Sequence, residues 1–316
     1  MISNSEIYTI AFYNVENLFD TKNDPLIHDD DFLPNSAKRW TTKRYLNKIM
    51  KLSIVISQIG KAQSKLAPAI IGLAEVENKK VLSDLVKSKN LLNENYKYVH
   101  YDSLDERGIN VALLYNPDVF KVDHSETFSV YLENNKSQQD YTRDILLVKG
   151  QLHNENLCIL VNHWSSRREG VIETEFKRLA AAKVVNSVIS ELKNENPDNK
   201  IIVMGDFNDN PNDRTMLLLE KRSDLYNPFK TVWSPSNGSL NHNFQWNNFD
   251  QILFSTNFFE VTDNALTFYD GEVFNNKFLT QYHGKYQGQP FRTYVGKKYQ
   301  GGYSDHFPVF IQLKPS

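Results

Sequence analysis

Two kinds of apolar pattern take turns along this chain. Short runs rich in Ile, Val and Leu, such as "LCILV" (157–161) and "IIVM" (201–204), have the length and β-branched character of buried strands. Longer stretches, "KRYLNKIMKLSIVISQIGK" from Lys43 and "EFKRLAAAKVVNSVISELK" from Glu175, repeat apolar residues every three or four positions and predict amphipathic helices. The order repeats as well. "IYTIAFYNVENLF" (7–19), the first helix and "AIIGLAEVEN" (69–78) form one β-α-β unit; "LCILVNHWSSR" (157–167), the second helix and "IIVMGDFNDN" (201–210) form another. Two related halves are the consequence, with corresponding strand ends facing one another across a shared cleft.

Those strand ends carry the chemistry. Asn14 and Glu16, Glu75 and Glu77, Asn162 and His163, and Asp206 and Asn208 each close an apolar run, while Asp250 and the pair Asp305–His306 each precede one. Any one of these fits a turn, because Asp and Asn side chains bond the nearby backbone. Six strand ends with the same ligand types point instead to a shared site, of the kind that sheets carrying helices place at their strand ends. Carboxylate and amide oxygens without sulfur suit a hard divalent ion such as Mg²⁺, which takes few protein carboxylates and leaves room for phosphate oxygens. A histidine beside a carboxylate moves protons or balances phosphoryl charge near neutral pH, and Asp250 is the candidate for orienting His306.

In order along the chain, "YNVENLF", "GLAEVEN", "VNHWSSR", "GDFND", "FDQILFS" and "SDHFPV" resemble the motif series of the deoxyribonuclease I-like endonuclease/exonuclease/phosphatase superfamily, from about Asn14 to His306. The resemblance implies an α/β (α+β) four-layer sandwich, two face-to-face mixed β-sheets flanked by helices in two pseudo-symmetric halves. It implies that Glu75 binds Mg²⁺ or Mn²⁺, with Asn14 and Asp305 close to the ion and Glu16 in a more variable role. Asp206 and Asn208 match the pair that positions or deprotonates the attacking water, and His163 and His306 match residues that contact the scissile phosphate. The activity implied is metal-dependent phosphoester hydrolysis by in-line attack of water. A nuclease-like phosphodiesterase stands ahead of a phosphatase or phospholipase-type hydrolase acting on inositol, lipid or nucleotide phosphates. A catalytically silent binding module on the same scaffold is the alternative of another class, and the competent residues at every matched position argue against it.

Composition narrows the picture further. At 316 residues, without a Gly/Ser- or Pro-rich linker, one domain over 1–316 is expected, and 40% hydrophobic with 12% aromatic content supplies a packed core. Cys158, the single cysteine, excludes an intramolecular disulfide and lies in an apolar strand, where an inert thiol is expected. No run reaches transmembrane length and no leader pattern opens the chain, so a soluble protein is predicted, either cytoplasmic or exported, and a monomer. A net charge of −2 does not mark a general nucleic-acid binder. Even so, "QYHGKYQGQPFRTYVGKKYQGGYSDH" (281–306) sets Lys285, Arg292, Lys297 and Lys298 among five tyrosines just ahead of His306, a candidate loop for a phosphate-ester substrate, nucleic acid included. Arg107 and Asn110 precede another apolar strand, and an arginine fork suits phosphate oxygens. Asn162, Arg167 and Arg292 complete the substrate-side candidates, with at least one of Arg167 and Arg168 expected to reach a phosphate. "DPLIHDDDFLP" (24–34) reads as a solvated loop, because consecutive carboxylates cannot all face one ion.

Overall fold

Long strands of two six-stranded mixed sheets dominate the computed structural model, which describes residues 7–133, 138–153 and 155–316. The strands are β1 (Tyr8–Leu18), β2 (Ile70–Val76), β3 (Lys97–His100), β4 (Asn110–Tyr115), β5 (Phe120–Phe128), β6 (Ile145–Leu152), β7 (Glu155–His163), β8 (Lys200–Asp206), β9 (Leu225–Tyr226), β10 (Asp250–Ser255), β11 (Leu266–Val273) and β12 (Val309–Pro315). The main helices are α1 (Thr42–Ile56), α2 (Lys79–Val86), α3 (Glu175–Glu195) and α4 (Arg214–Ser223).

The first sheet runs β11-β12-β1-β2-β4-β3 and the second β9-β10-β8-β7-β6-β5. In each, one parallel pair lies between antiparallel neighbours: β1 with β2, joined through α1, and β7 with β8, joined through α3. Chain order then superimposes β1-α1-β2-α2-β3-β4 on β7-α3-β8-α4-β9-β10, with β3 outside β4 and β9 outside β10. The duplication expected from the apolar pattern is thus present, and it puts Glu75 and Asp206 at equivalent positions.

Period-two alternation divides the second sheet's side chains between two cores. Leu157, Ile159, Val161, Ile202 and Met204 join the core shared with the first sheet, whereas Cys158, Leu160, Ile201 and Val203 pack with Ala181, Val185 and Met216 of α3 and α4. Tyr45, Ile49 and Leu52 of α1 pack into the first core. Helix α2 is capped by Asn78, whose side chain accepts from the amides of Lys80 and Val81. The first helix is shorter than the pattern to Lys61 suggests. It stops at Ile56, and Gly60 turns at φ 66 where a Cβ would lie 2.6 Å from Thr9. Burial raises the Cys158 thiol to about 11, consistent with an inert residue. Among the described residues no helix is long and apolar enough to cross a membrane.

Candidate active site

The ends of β1 and β2 leave the regular ladder just where the polar residues appear. Register shifts between Asn14 and Leu18, and Glu16, Asn17 and Glu75 take the left-handed conformation at φ 52, 52 and 65. Such backbone is costly for residues other than glycine and persists only where its surroundings hold it. Here side chains do so. The Glu75 carboxylate accepts from the Asn17 amide at 2.8 Å, the Glu16 carboxylate accepts from the Thr293 amide at 2.6 Å, and Asn14 Oδ1 accepts from the Glu16 amide at 3.0 Å.

On the second sheet the corresponding residues stay in register. Asp206 pairs across the ladder with His163 on one side and Asp250 on the other. Gly205 precedes it because β7 passes so close that a Cβ would meet the Asn162 carbonyl oxygen at 2.5 Å. Asn14 Nδ2 donates to Asp206 Oδ2 at 2.9 Å and so joins the two sheets. His306 Nδ1 lies 2.6 Å from Asp250 Oδ2, and its Nε2 lies 4.0 Å from Asp206 and 3.9 Å from Asp305. His163 Nε2 lies 4.0 Å from Glu75 and 3.9 Å from Asp206. Ligating atoms of Asp206, Asp250 and His306 all fall within 4.8 Å of one another, so these three also form a group able to hold an ion.

Burial and mutual charge give the two histidines opposite states. Burial, with the Arg143 and Arg107 charges, holds His163 well below its ordinary value, so this ring is neutral at neutral pH. Burial also disfavours charge on His306, but Asp250, then Asp206 and Asp305, override it and hold that ring well above its ordinary value. Burial, and next the Asp250 charge, push Asp206 up to about 7, against the opposing pull of His306 and Asn14. Asp305 is held low despite burial by His306, Arg292 and Lys48.

The other expected residues divide clearly. Arg292 donates to Asp305, and Arg107 donates to Asn17 Oδ1 at 3.1 Å beside Glu75. Asn208 donates its amide N–H to Asp206 at 3.0 Å, while its side chain donates to the Trp164 carbonyl. Three residues are turned away. Asn110 folds the 103–110 loop through Ser103 and the Glu77 carbonyl, Asn162 is buried between the Leu160 and Met204 carbonyls and Trp164, and Arg167 is bound by Asp209, Asp213 and the Asn208 carbonyl. Asp29, in the acidic stretch expected to be solvated, is buried.

Several residues that shape the site were not singled out by pattern. Arg143 bonds Asp105 at 3.0 Å and stands beside His163; its place in "YTRDILLV", polar residues opening an apolar strand, is the same signal that marks Asp250. Lys48 donates to Thr293 Oγ1 and the Tyr303 carbonyl, each at 2.6 Å, and lies 3.7 Å from Glu16. A lysine on the apolar stripe of α1, between Tyr45 and Leu52, is the trace it leaves in the sequence.

A family model described as the Endonuclease/Exonuclease/phosphatase family matches residues 9–315. An endonuclease/exonuclease/phosphatase family protein from Bacteroides thetaiotaomicron has a similar structure, with a TM-score of 0.64 at 16% identity, covering 99% of each chain. So does a mannosyl-6-phosphatase of the same organism, with a TM-score of 0.60 at 16% identity over 97% of this chain and 99% of that one. TDP2 from D. rerio, complexed with single strand DNA product, gives 0.55 at 13% identity over 97% and 98%. A search of curated protein sequences gives no match. Along nearly its whole length the chain belongs to the endonuclease/exonuclease/phosphatase family, and it is a phosphoester hydrolase.

Proposed function

We propose that the chain hydrolyses a phosphate ester by in-line attack of water, with Mg²⁺ or Mn²⁺ as cofactor. The observation that carries this is the meeting of Asp206, His306 and His163 with Glu75 between equivalent ends of the two sheets. The donor set fits a hard cation: carboxylates of Glu75, Asp206, Asp250 and Asp305 crowd together without sulfur, and Asp250 Oδ1 is buried with no hydrogen-bond partner. Glu75, Asn14 and Asp305 would hold the ion, and Glu16, whose carboxylate faces the Thr293 amide and Lys48, would have a lesser part. When bound, such an ion draws charge from a non-bridging phosphate oxygen and from the leaving oxygen.

The chain's own groups supply the rest. Asp206, titrating near neutrality, accepts a proton from the attacking water, and the Asn208 amide fixes the direction of its carboxylate. His306 stays charged on Asp250 and offers Nε2 to the phosphate, where it balances developing charge. His163 is neutral and orients a phosphate oxygen without adding to the positive charge. A nuclease-like phosphodiesterase draws support from the basic and aromatic 281–306 segment and from the single strand DNA product in the TDP2 complex. A phosphatase is favoured by a cavity of about 200 Å³ beside Glu16, Asn17 and Asp305, by a second of about 340 Å³ that shares Asn17, and by the likeness to a mannosyl-6-phosphatase.

Supercoiled plasmid, a chromogenic phosphodiester and a chromogenic phosphomonoester, each with Mg²⁺ or Mn²⁺, test the proposal against chelator and Glu75→Ala controls. Metal-dependent turnover of any of them, lost in the variant, is expected. Equal rates in chelator would overturn the metal assignment.

A further inference from the structure

Two cavities share Asn17, Lys38 and Arg168 in their walls, the smaller reaching Glu16, Arg292 and Asp305 and the larger Asp30, Asp31 and Arg107, and the hydrolytic centre does not use their cationic side chains. The smaller, about 200 Å³, opens between Asp305 and Lys38; the larger, about 340 Å³, continues past Lys38 to Arg107, and both are lined by Asn17 and Arg168. Their outer wall, segment 19–41, is fixed in place. His28 donates its amide to the Glu106 carbonyl at 2.8 Å, Trp40 Nε1 donates to the Phe19 carbonyl at 3.0 Å, and Phe19 stacks on Phe32 at 4.5 Å.

Most charges around these spaces are answered. Arg292 has Asp305, Lys38 has Asp31 at 3.1 Å, and Arg143 has Asp105 at 3.0 Å. Arg168 is exposed and has no hydrogen-bond or ion-pair partner among the described residues, in contrast to its neighbour Arg167. The Arg107 guanidinium gives one hydrogen bond, to a neutral amide, and burial and then the Arg143 and Arg168 charges press on it, opposed by Glu75 and Asp105. Two guanidinium groups facing one space repel unless an anion lies between them, and a planar fork matches phosphate oxygens. The distance from the reaction is set by a short relay. Asn17 donates its amide to Glu75 and accepts from Arg107 on its side chain, so one residue separates Arg107 from the carboxylate expected to hold the ion.

We propose that Arg107 and Arg168 form a subsite for a second phosphate of the substrate, beside the ester that is cut. This rests on the phosphoester-hydrolase reading of the centre, and it makes a doubly phosphorylated compound, small or single-stranded, the preferred class.

The test compares kcat/KM for p-nitrophenyl phosphate, a hexose 1,6-bisphosphate and a 5′-phosphorylated trinucleotide in the wild type, Arg168→Ala and Arg168→Lys. The selectivity ratio over p-nitrophenyl phosphate is expected to fall about 10- to 100-fold in Arg168→Ala for at least one of the two substrates that carry a further phosphate, with partial recovery in the lysine variant. The substrate whose advantage is lost identifies the source of the second phosphate. An unchanged ratio, or a wild type that prefers p-nitrophenyl phosphate to both, overturns the subsite while leaving hydrolysis established. If the wild type cuts none of them, the hydrolase reading fails instead. Calorimetric titration with the hexose bisphosphate and the trinucleotide then decides the subsite, and equal affinities in wild type and Arg168→Ala would overturn it.

Discussion

The two halves of this molecule share a topology and hold their polar strand ends differently, although in both a carboxylate accepts a main-chain amide and in the second Asn208 also turns at φ 51. At the ends of β1 and β2, Glu16, Asn17 and Glu75 sit in left-handed backbone, and carboxylates there accept amide hydrogens. At the end of β8 and the start of β10, Asp206 and Asp250 lie directly opposite in an unbroken ladder, buried with His306 between them. The bulged half spends strain on bringing the Glu16 and Glu75 carboxylates to amide donors, and leaves Glu75 the more exposed of the two, a geometry suited to holding an ion. The regular half crowds charge out of water, a geometry suited to holding and moving a proton. On the proposed function, a duplicated scaffold divides two tasks between equivalent positions.

The largest effect belongs to the regular half. Asp206→Asn and His306→Ala are each expected to lower kcat by about 10²- to 10⁴-fold with the fold intact, measured at saturating metal and substrate. Near-wild-type turnover in either would break the division of tasks. The same Asp206 change carries an opposite effect on stability. Folded Asp206 keeps its proton up to about pH 7, whereas the unfolded chain releases it near the ordinary value of 3.8. The folded state binds more protons across that window, so this group costs stability progressively as pH rises from about 4 to 7. In chelator at pH 8, Asp206→Asn should therefore melt a few degrees above the wild type. A lower melting temperature would show that Asp206 is held by favourable contacts and not by crowding.

Asp250 sharpens the comparison through the pH profile. Its charge raises both Asp206 and His306. Asp250→Asn should therefore shift both limbs of the kcat/KM profile toward acid, and a shift of one limb alone would separate the two residues' roles.

Much of this arrangement was legible from pattern. Apolar runs of two lengths carried the β-α-β duplication, and polar residues at run ends marked His163, Asp206, Asp250 and His306, which the fold brings together. Backbone sign was not legible, because "VEN" at 15–17 contains no glycine to announce a left-handed bulge. Nor were the tasks of adjacent loop residues. Asn162 and Asn208 look alike as amides after an apolar run, and both side chains are buried against carbonyls, yet only Asn208 has a backbone N–H that bonds Asp206, a difference that depends on the folded loop.

The bulged half has its own weak point in Lys48. This buried ammonium ties α1 to Thr293, Tyr303 and Glu16, so Lys48→Met leaves the Glu16 carboxylate buried without its nearest cation. A loss of about 3 kcal/mol in urea denaturation is expected, accompanied by a higher KM as the segment bearing Arg292 and Asp305 loosens. Wild-type stability would mean that the Thr293 and Tyr294 amides, with Arg292 at 3.9 Å, suffice to hold Glu16, and that the bulge does not need the Lys48 charge.

The smallest effect separates two adjacent arginines. Arg167 binds two carboxylates and a carbonyl of the loop that follows Asp206, so Arg167→Ala should cost about 1–2 kcal/mol by urea denaturation. Arg168 has no such partners, and its replacement by alanine should leave stability within about 0.5 kcal/mol of the wild type. If Arg167→Ala proves neutral, the loop after β8 is held by Arg178, which also pairs with Asp209 at 2.8 Å, and Arg167 becomes available to a ligand. If it is costly as expected, a positive charge beside the cleft and a positive charge within the scaffold have been told apart by one position in the chain, because only the folded loop decides which of the two meets a carboxylate.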